Sequence, residues 1–513
     1  MTSPSRPILS MDRLSFSFYN SDRKALDNIC LEISEGEFVA VTGPSGCGKS
    51  TLAMAIGGYI PHVLEGNLEG CVRVAGRRTD ETSLAELSTL VGIVQQDPES
   101  QLCTLTVDDE VAFGPENLAL PPTEIRERVR GSLAMVNATY LRGRDIYELS
   151  GGEKQRVAIA SILAMQPRVL ILDEPTSNLD PTSTAEVLSA IALLRQTSAL
   201  TIIVIEHKLD RVMPLADRLL VMDRGRIVLD GQPEEVLRQY REQIKEMGIR
   251  LPVAPGSRWN CAHSEHQASV ACVETAKAEN LRFAYEGREV LHDISFRARG
   301  GEIVGIIGPN GSGKTTFLTH LLGIHKPDRG SVTVCGMDAK TTKVSRLARS
   351  AGYVFQNPNH QIFERTVRGE AGFACDNFGI DPPTRDRLVD NELSRFGLRD
   401  YAGRHPLGLS FGEKRRLNIC SVLPHQPQLL LLDEPFVGQD YFNVDAMMTE
   451  LQALKKEGKT VLLVSHDIDM VYRYCDRVVL FLDGRIAVDD VPEAAGKAIT
   501  ALGMKEYLPG GCP

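Results

Sequence analysis

The chain has 513 residues, a net charge of −10, 42% hydrophobic residues and only 6% aromatic ones. At about 150 residues per domain this length calls for roughly three to four structural units, and an acidic balance with few aromatics argues against a nucleic-acid partner. No apolar run reaches the roughly 18 residues of a membrane span, the opening MTSPSRPILSMDR lacks a secretory apolar stretch, and eleven cysteines scattered singly suit a reduced, cytoplasmic chain.

Taken in chain order, Phe38-Val39-Ala40-Val41 reads as a strand and runs into Gly43-Pro44-Ser45-Gly46-Cys47-Gly48-Lys49-Ser50, with Thr51 next. That loop fits G-x-x-x-x-G-K-[ST], in which glycines let backbone N–H groups curl around a phosphate at a helix N-terminus. Lys49 is then expected to reach the β and γ phosphates of a nucleotide and Ser50 to hold Mg²⁺. Cys47, beside Lys49 and a helix start, sits where a thiol pKa is expected to fall. Between Gln96 and Leu149 strand runs are weak, which predicts a helical insertion, with Thr106-Val107-Asp108-Asp109 as a capping box. Ser150-Gly151-Gly152-Glu153 places a hydroxyl and two glycines at the next helix start, a second anion site. The strand-like Val169-Leu170-Ile171-Leu172 ends in Asp173 and Glu174. An acid at a strand end beside a phosphate loop is placed to hold Mg²⁺, and the acid after it to take a proton from an attacking water. Ile202-Ile203-Val204-Ile205 follows, and such runs alternating with helical segments predict a mainly parallel sheet.

Residues 246–277 break the pattern with a Pro- and Ser-rich stretch that reads as a linker, between units expected over 8–245 and 278–503. About 30 flexible residues span a typical 30 Å, enough for two units to face one another. Cys261, His263, His266 and Cys272 within it match no standard zinc spacing. The whole series then recurs. Ile303-Val304-Gly305-Ile306-Ile307 precedes Gly308-Pro309-Asn310-Gly311-Ser312-Gly313-Lys314-Thr315, with Thr316 next, and Gln356, Ser410-Phe411-Gly412-Glu413 and Asp433-Glu434 follow. Gln96 to Ser150 and Gln356 to Ser410 both span 54 residues, and Ser150 to Asp173 and Ser410 to Asp433 both span 23. Locked spacing of this kind means two copies of one fold.

This ordered set resembles the ATP-binding subunits of ABC transporters and covers almost the entire chain. The resemblance implies an α/β fold of two tandem P-loop ATPase domains, each with a mainly parallel sheet core, a helical subdomain and an antiparallel β part. It implies two units docked head to tail around two molecules of ATP with Mg²⁺, each ATP meeting the phosphate loop of one unit and the Ser-Gly-Gly signature of the other. By that resemblance Ser50, Gln96, Asp173, Thr315, Gln356 and Asp433 serve Mg²⁺, and Glu174 and Glu434 are the catalytic bases. His207 and His466 contact the γ-phosphate, Phe18 and Tyr285 stack on adenine (with Phe16 or Tyr19 as alternatives), and Asn178-Leu179-Asp180 and Gly438-Gln439-Asp440 lie across the interface. Glu153 and Glu413 stand where the family usually has Gln, and Phe411 replaces a glycine. The site pairing Lys49 with Phe411 is therefore expected to turn over more slowly than the one pairing Lys314 with Ser150.

Past each glutamine, Gln96-Asp97-Pro98-Glu99-Ser100-Gln101-Leu102 and Gln356-Asn357-Pro358-Asn359-His360-Gln361-Ile362 look like the ATPases of energy-coupling factor importers. That finer resemblance implies uptake of a vitamin or a transition-metal ion. The partners are then a transmembrane coupling protein and a small membrane substrate-capture protein, with this chain peripheral at the cytoplasmic face of the membrane. A tandem sugar-importer ATPase is the nearest alternative, but there one site is typically degenerate, whereas both Lys and both Glu are present here. A ribosome-associated tandem ATPase resembles the chain less well, since that group carries a long charged linker. Selectivity is expected in the partners, so no residue here reads out the substrate.

Overall fold

The computed structural model describes residues 7–19, 23–177, 179–251, 273–437, 439 and 441–510. Asn178, Gly438 and Asp440, expected at the interface, and the linker's Cys261, His263, His266 and Cys272 lie outside the described residues. The chain divides into two compact units, one of described residues up to 251 and one of those from 273 on.

Strand Phe38–Thr42 is buried along its full length, which is why it reads as a continuous apolar run instead of an alternation. Its residues nevertheless serve two cores by turns: Phe38 and Ala40 face one apolar cluster, Val39 and Val41 the other. That is the period-2 geometry of a strand with both faces covered. The sheet around it has the order Arg226–Gly231, Arg218–Asp223, Phe38–Thr42, Thr201–Ile205, Val169–Asp173, Val91–Val94. All neighbours are parallel except the Arg226–Gly231 hairpin pair. Val41 and Asp173 both pair with Ile205, so the strand ends carrying the phosphate loop and the acids finish at one edge. In open α/β sheets that carboxyl edge is where ligands bind. A separate antiparallel sheet, in the order Leu26–Ile33, Leu9–Phe18, Gly66–Val74, Arg77–Arg78, covers one face.

The second unit repeats this. Its six-stranded sheet runs Ala351–Val354, Leu429–Asp433, Thr460–Val464, Ile303–Ile307, Arg477–Leu482, Arg485–Asp490, and its antiparallel sheet Arg288–Arg299, Glu274–Tyr285, Arg329–Val334, Met337–Asp338. Strand Glu274–Tyr285 opens inside the stretch read as linker. Buried Ile249 and Tyr507 pack into the cores beyond the expected unit ends at 245 and 503.

The weak-strand stretches are helical, as expected: Val107–Asn117 and Pro122–Met135 pack with Gly151–Leu163, and Val367–Asn377 and Pro382–Arg395 with Phe411–Ser421. The capping box expected at Thr106 is only half formed. Its hydroxyl accepts from Asp109 N, but the Asp109 carboxylate takes the hydroxyl proton at 2.7 Å and caps no backbone N–H. Aspartate is one carbon too short for the reciprocal reach. Full boxes form instead at Ser150 with Glu153 and at Ser410 with Glu413. Among the described residues no helix is long and apolar enough to cross a membrane, and the cysteines are free.

Candidate functional site

Each phosphate loop is a turn that only glycine can complete. Gly48 has φ +108°, and a Cβ there would lie 2.4 Å from the Ala25 carbonyl oxygen; Gly43 would meet the Met222 carbonyl oxygen at 2.2 Å. The loops open helices Lys49–Ile56 and Lys314–Leu321, whose first N–H groups lack partners within the helix. Lys49 Nζ donates to the Gly43 and Pro44 carbonyls at 2.9 Å, and Lys314 Nζ to those of Gly308 and Pro309 at 2.8 and 2.7 Å. Both ammonium groups are thus buried and aimed back across the loop that a phosphate would fill.

The acids emerge beside these loops. Thr315 Oγ1 donates to Asp433 Oδ2 at 2.8 Å, and Ser50 stands near enough to Asp173 to favour its charged form. Glu174 and Glu434 both adopt left-handed backbone, φ 48° and 49°. Such a conformation costs a non-glycine residue of order 1–3 kcal/mol and turns these carboxylates out of the strand line. Glu174 Oε1 lies 2.9 Å from His207 Nε2, and Gln96 Nε2 donates to Glu174 Oε2 at 2.8 Å. In the second unit Glu434 Oε1 lies 3.2 Å from His466 Nε2, while the His466 N–H donates to Glu434 Oε2 at 3.1 Å.

Burial pushes the Asp173 and Asp433 carboxyls up, against the pull of Ser50 and of Thr315 respectively. Burial acts the same way on Glu174, but the His207 hydrogen bond and charge, with Lys49, outweigh it and hold that carboxyl below its ordinary value. Asp173 Oδ1 is buried with no hydrogen-bond partner among the described residues. A buried carboxylate oxygen left open beside a Ser hydroxyl fits a hard, oxygen-seeking cation such as Mg²⁺.

In the second unit a cleft of ≈ 670 Å³ gathers Tyr285, Asn310, Gly311, Gly313, Lys314, Thr315, Thr316, Gln356, Asp433, Glu434 and His466. Ser410, Phe411 and Gly412 do not line it. They sit at the start of helix Phe411–Ser421, with Ser410 and Phe411 exposed, as Ser150 is at the start of Gly151–Leu163. Gly152 and Gly412 are pressed on neighbours, since a Cβ would come 2.5 Å from Ser183 Cβ or 2.9 Å from Gln439 Oε1. Of the aromatic alternatives, Phe16 is fully buried and packs edge-on against Phe18, which is 38% exposed and free to present a face. Phe283 and Tyr285 repeat the arrangement, so Phe16 is a core residue.

Cys47 departs from expectation. It is 5% exposed, and burial drives its thiol up despite Lys49. The helix start and the lysine flag a reactive cysteine in sequence, but the loop folds over the sulfur. Three residues beside the acids carried no motif signal. Tyr353 donates to Asp433 Oδ2 at 3.0 Å. Glu206 is buried next to His207 and accepts from Thr176 Oγ1 at 3.0 Å. Arg415 is buried on the signature helix. Comparing the two halves position by position finds them, because each replaces a neutral or apolar counterpart: Ile93, Ser465 and Gln155.

The family model described as ABC transporter matches residues 26–177 and 291–437. A Methanosarcina acetivorans protein named "Putative ABC transporter ATP-binding protein" is 36% identical over 98% of this chain and 89% of its own length. A Bacillus subtilis protein named "Putative HMP/thiamine import ATP-binding protein YkoD" is 35% identical over 98% of this chain and 94% of its own. A solved structure of cbiO1 from Clostridium perfringens, titled as part of the ABC transporter complex cbiONQ, is 36% identical over 48% of this chain and 96% of that one, with a TM-score of 0.42. Two matched ATPase regions, each holding a phosphate loop and an acid pair at one sheet edge, place the chain in the ABC transporter family, as an ATP-binding subunit whose ATPase activity is coupled to transport.

Proposed function

We propose that the chain drives an importer of the energy-coupling factor type, taking up a vitamin or a transition-metal ion. The observation that carries this reading is the double turn after Gln96 and Gln356. Pro98–Ser100 and Pro358–His360 are tight helical turns capped by Asp97 and Asn357. Each turn is locked by the following glutamine: Gln101 Oε1 accepts from Gln95 N and Gln361 Oε1 from Phe355 N. Lys154 on one signature helix grips Glu99, and Lys414 on the other reaches Asn359. A membrane partner seated on these turns would push directly on both signature helices. The HMP/thiamine import role in the Bacillus relative's name agrees with a vitamin cargo.

In this reading each ATP lies on one phosphate loop, with Lys49 or Lys314 released from the loop carbonyls to the β and γ phosphates. Ser50, Gln96 and Asp173, and Thr315, Gln356 and Asp433, would hold Mg²⁺, which when bound offsets phosphate charge. Glu174 and Glu434 accept the proton of the attacking water, and His207 and His466 orient those carboxylates at Nε2. The partners are a transmembrane coupling protein and a small substrate-capture membrane protein, and the chain works at the cytoplasmic membrane face.

The test is a tagged pull-down from detergent-solubilised membranes. Recovery of a multi-pass coupling protein with a small membrane partner is expected, and the small protein's bound ligand names the cargo. Recovery of ribosomal proteins, or of nothing from the membrane, overturns the importer and leaves the ATPase.

A further inference from the structure

Behind the cleft of the second unit lies a buried cation to which the reaction above assigns no part. Arg415 is 1% exposed on helix Phe411–Ser421, and burial draws its guanidinium down to about 10, against the opposing pull of Glu434 and Asp433. The Phe411 ring covers it, with its centre 5.1 Å from the guanidinium carbon. Its Nη1 donates to the Phe355 carbonyl oxygen at 3.1 Å, and its Nε is buried without a partner among the described residues. Few buried cations are kept with so little compensation unless the one bond they make matters.

That bond has a specific address. The Phe355 carbonyl belongs to the peptide that links Phe355 to Gln356, so holding it fixes the plane from which the Gln356 side chain departs into the cleft. The neighbouring Tyr353 ring packs edge-on against Phe355 while its hydroxyl holds Asp433. In the first unit Gln155 stands in place of Arg415, and its buried Nε2 has no partner among the described residues. There Gln96 is steadied from the other end instead, by its bond to Glu174.

We propose that Arg415 is the positioning residue of the second unit's ATP site, setting the aim of Gln356 from behind through the Phe355–Gln356 peptide. This rests on the reading that Gln356 and Glu434 serve hydrolysis. Arg415→Gln and Arg415→Lys are compared in the full chain carrying Glu174→Gln, where turnover reports the Glu434 site. Arg415→Gln is expected to lower kcat about tenfold with KM for ATP within about twofold, as a misplaced group does without loss of binding. Arg415→Lys recovers part of it. Amide exchange is to quicken at 355–357 and stay unchanged at 95–97.

Unchanged kcat, a loss confined to KM, or unchanged exchange at 355–357 overturns the proposal. If neither Glu174→Gln nor Glu434→Gln lowers the parent's ATPase, the reading of the acids falls, and the exchange result alone decides whether Arg415 holds the peptide.

Discussion

The two units repeat the lysine, acid, glutamine and histidine positions of the candidate site, differ there at Ser50 against Thr315 and Gly151 against Phe411, and differ again one layer behind. Lys, Asp, Glu, His and Gln recur at matched positions in both. Behind them the first unit buries an acid, Glu206, where the second has Ser465, and the second buries a base, Arg415, where the first has Gln155. Glu206 and Ser465 are true counterparts, since their N–H groups donate to Val41 and Ile306 at the ends of the matched central strands. Asp433 Oδ2 accepts from both Thr315 and Tyr353, whereas Ile93, the counterpart of Tyr353, offers Asp173 no hydroxyl. The chemistry is duplicated, and its surroundings are of opposite charge. Sites with one reaction and two electrostatic settings should not run at one rate.

The hardest test of that comparison removes each base in turn. Glu434→Gln is expected to abolish most of the ATPase, by about 10²-fold or more, as loss of a general base does. Glu174→Gln should leave a clearly larger residual rate if, as the family resemblance implies, its phosphate loop pairs with the signature in which Phe411 replaces a glycine. Equal residual rates from purified variants at saturating ATP break the claim of unequal sites.

Next in size is thiol reactivity. Burial and then Glu110 push the Cys103 thiol up as well, but Cys103 is exposed and Cys47 is buried, so Cys103 should be alkylated at pH 8 at least about tenfold faster. Mapping the labelled peptides by mass spectrometry checks it, and rapid labelling at Cys47 that ATP prevents would restore the reactive-cysteine expectation.

Cys47 also marks where sequence reading stops. Motif and spacing carry the fold because each motif names its own backbone context: Gly48 needs a left-handed turn, Lys49 a helix start, Asp173 a strand end. The family resemblance names Glu174, Glu434, His207 and His466 singly, and only the structure shows that Glu174 meets His207 and Glu434 meets His466 across 33 and 32 residues. What motif and spacing miss is burial. Whether a thiol beside a lysine is exposed, or whether Asp109 can reach back to cap a helix, depends on distances of an ångström or two that residue type does not encode. Arg415 and Glu206 escaped for the same reason, since a charged residue in a helix or after a strand reads as a solvated face until the packing is known.

Glu206 offers a smaller, pH-dependent difference. Burial pushes its carboxyl up, Arg211 pulls it down, and Glu174 adds to the rise, with His207 and Thr176 opposing. An acid raised on folding binds its proton more tightly in the folded chain, so stability falls as pH climbs from the ordinary 4.5 towards the raised value and is level above it. Glu206→Gln keeps an acceptor for Thr176 and removes that penalty. Its melting temperature should exceed the parent's by about 2–4 °C at pH 8, with the gain shrinking towards pH 5. Ser465→Gln in the second unit removes no buried acid and should show no such trend. A gain that ignores pH would mean that shape, not charge, is what Glu206→Gln relieves.

The smallest effect should be one on which the units agree. Glu153 and Glu413 replace the family's usual Gln, and both close a capping box on the preceding Ser. Burial tends to raise Glu153, but the Ser150 N–H and hydroxyl, then Arg144 and Tyr140, hold it below its ordinary value. Glu413 is held down likewise by Ser410. A depressed acid contributes stability that is present above its unfolded value and is lost as pH falls through the folded one. Gln can still accept from the Ser N–H but brings no charge to the helix N-terminus, so Glu153→Gln and Glu413→Gln should each cost only about 0.3–1 kcal/mol at pH 7. Ala at either position loses the cap as well and should cost more. Urea midpoints at pH 7 and pH 4 decide it. If Gln is as costly as Ala, or if the Gln deficit persists at pH 4, the glutamate is held for something other than its charge at the helix start, and the two signatures are not the matched pair their hydrogen bonds describe.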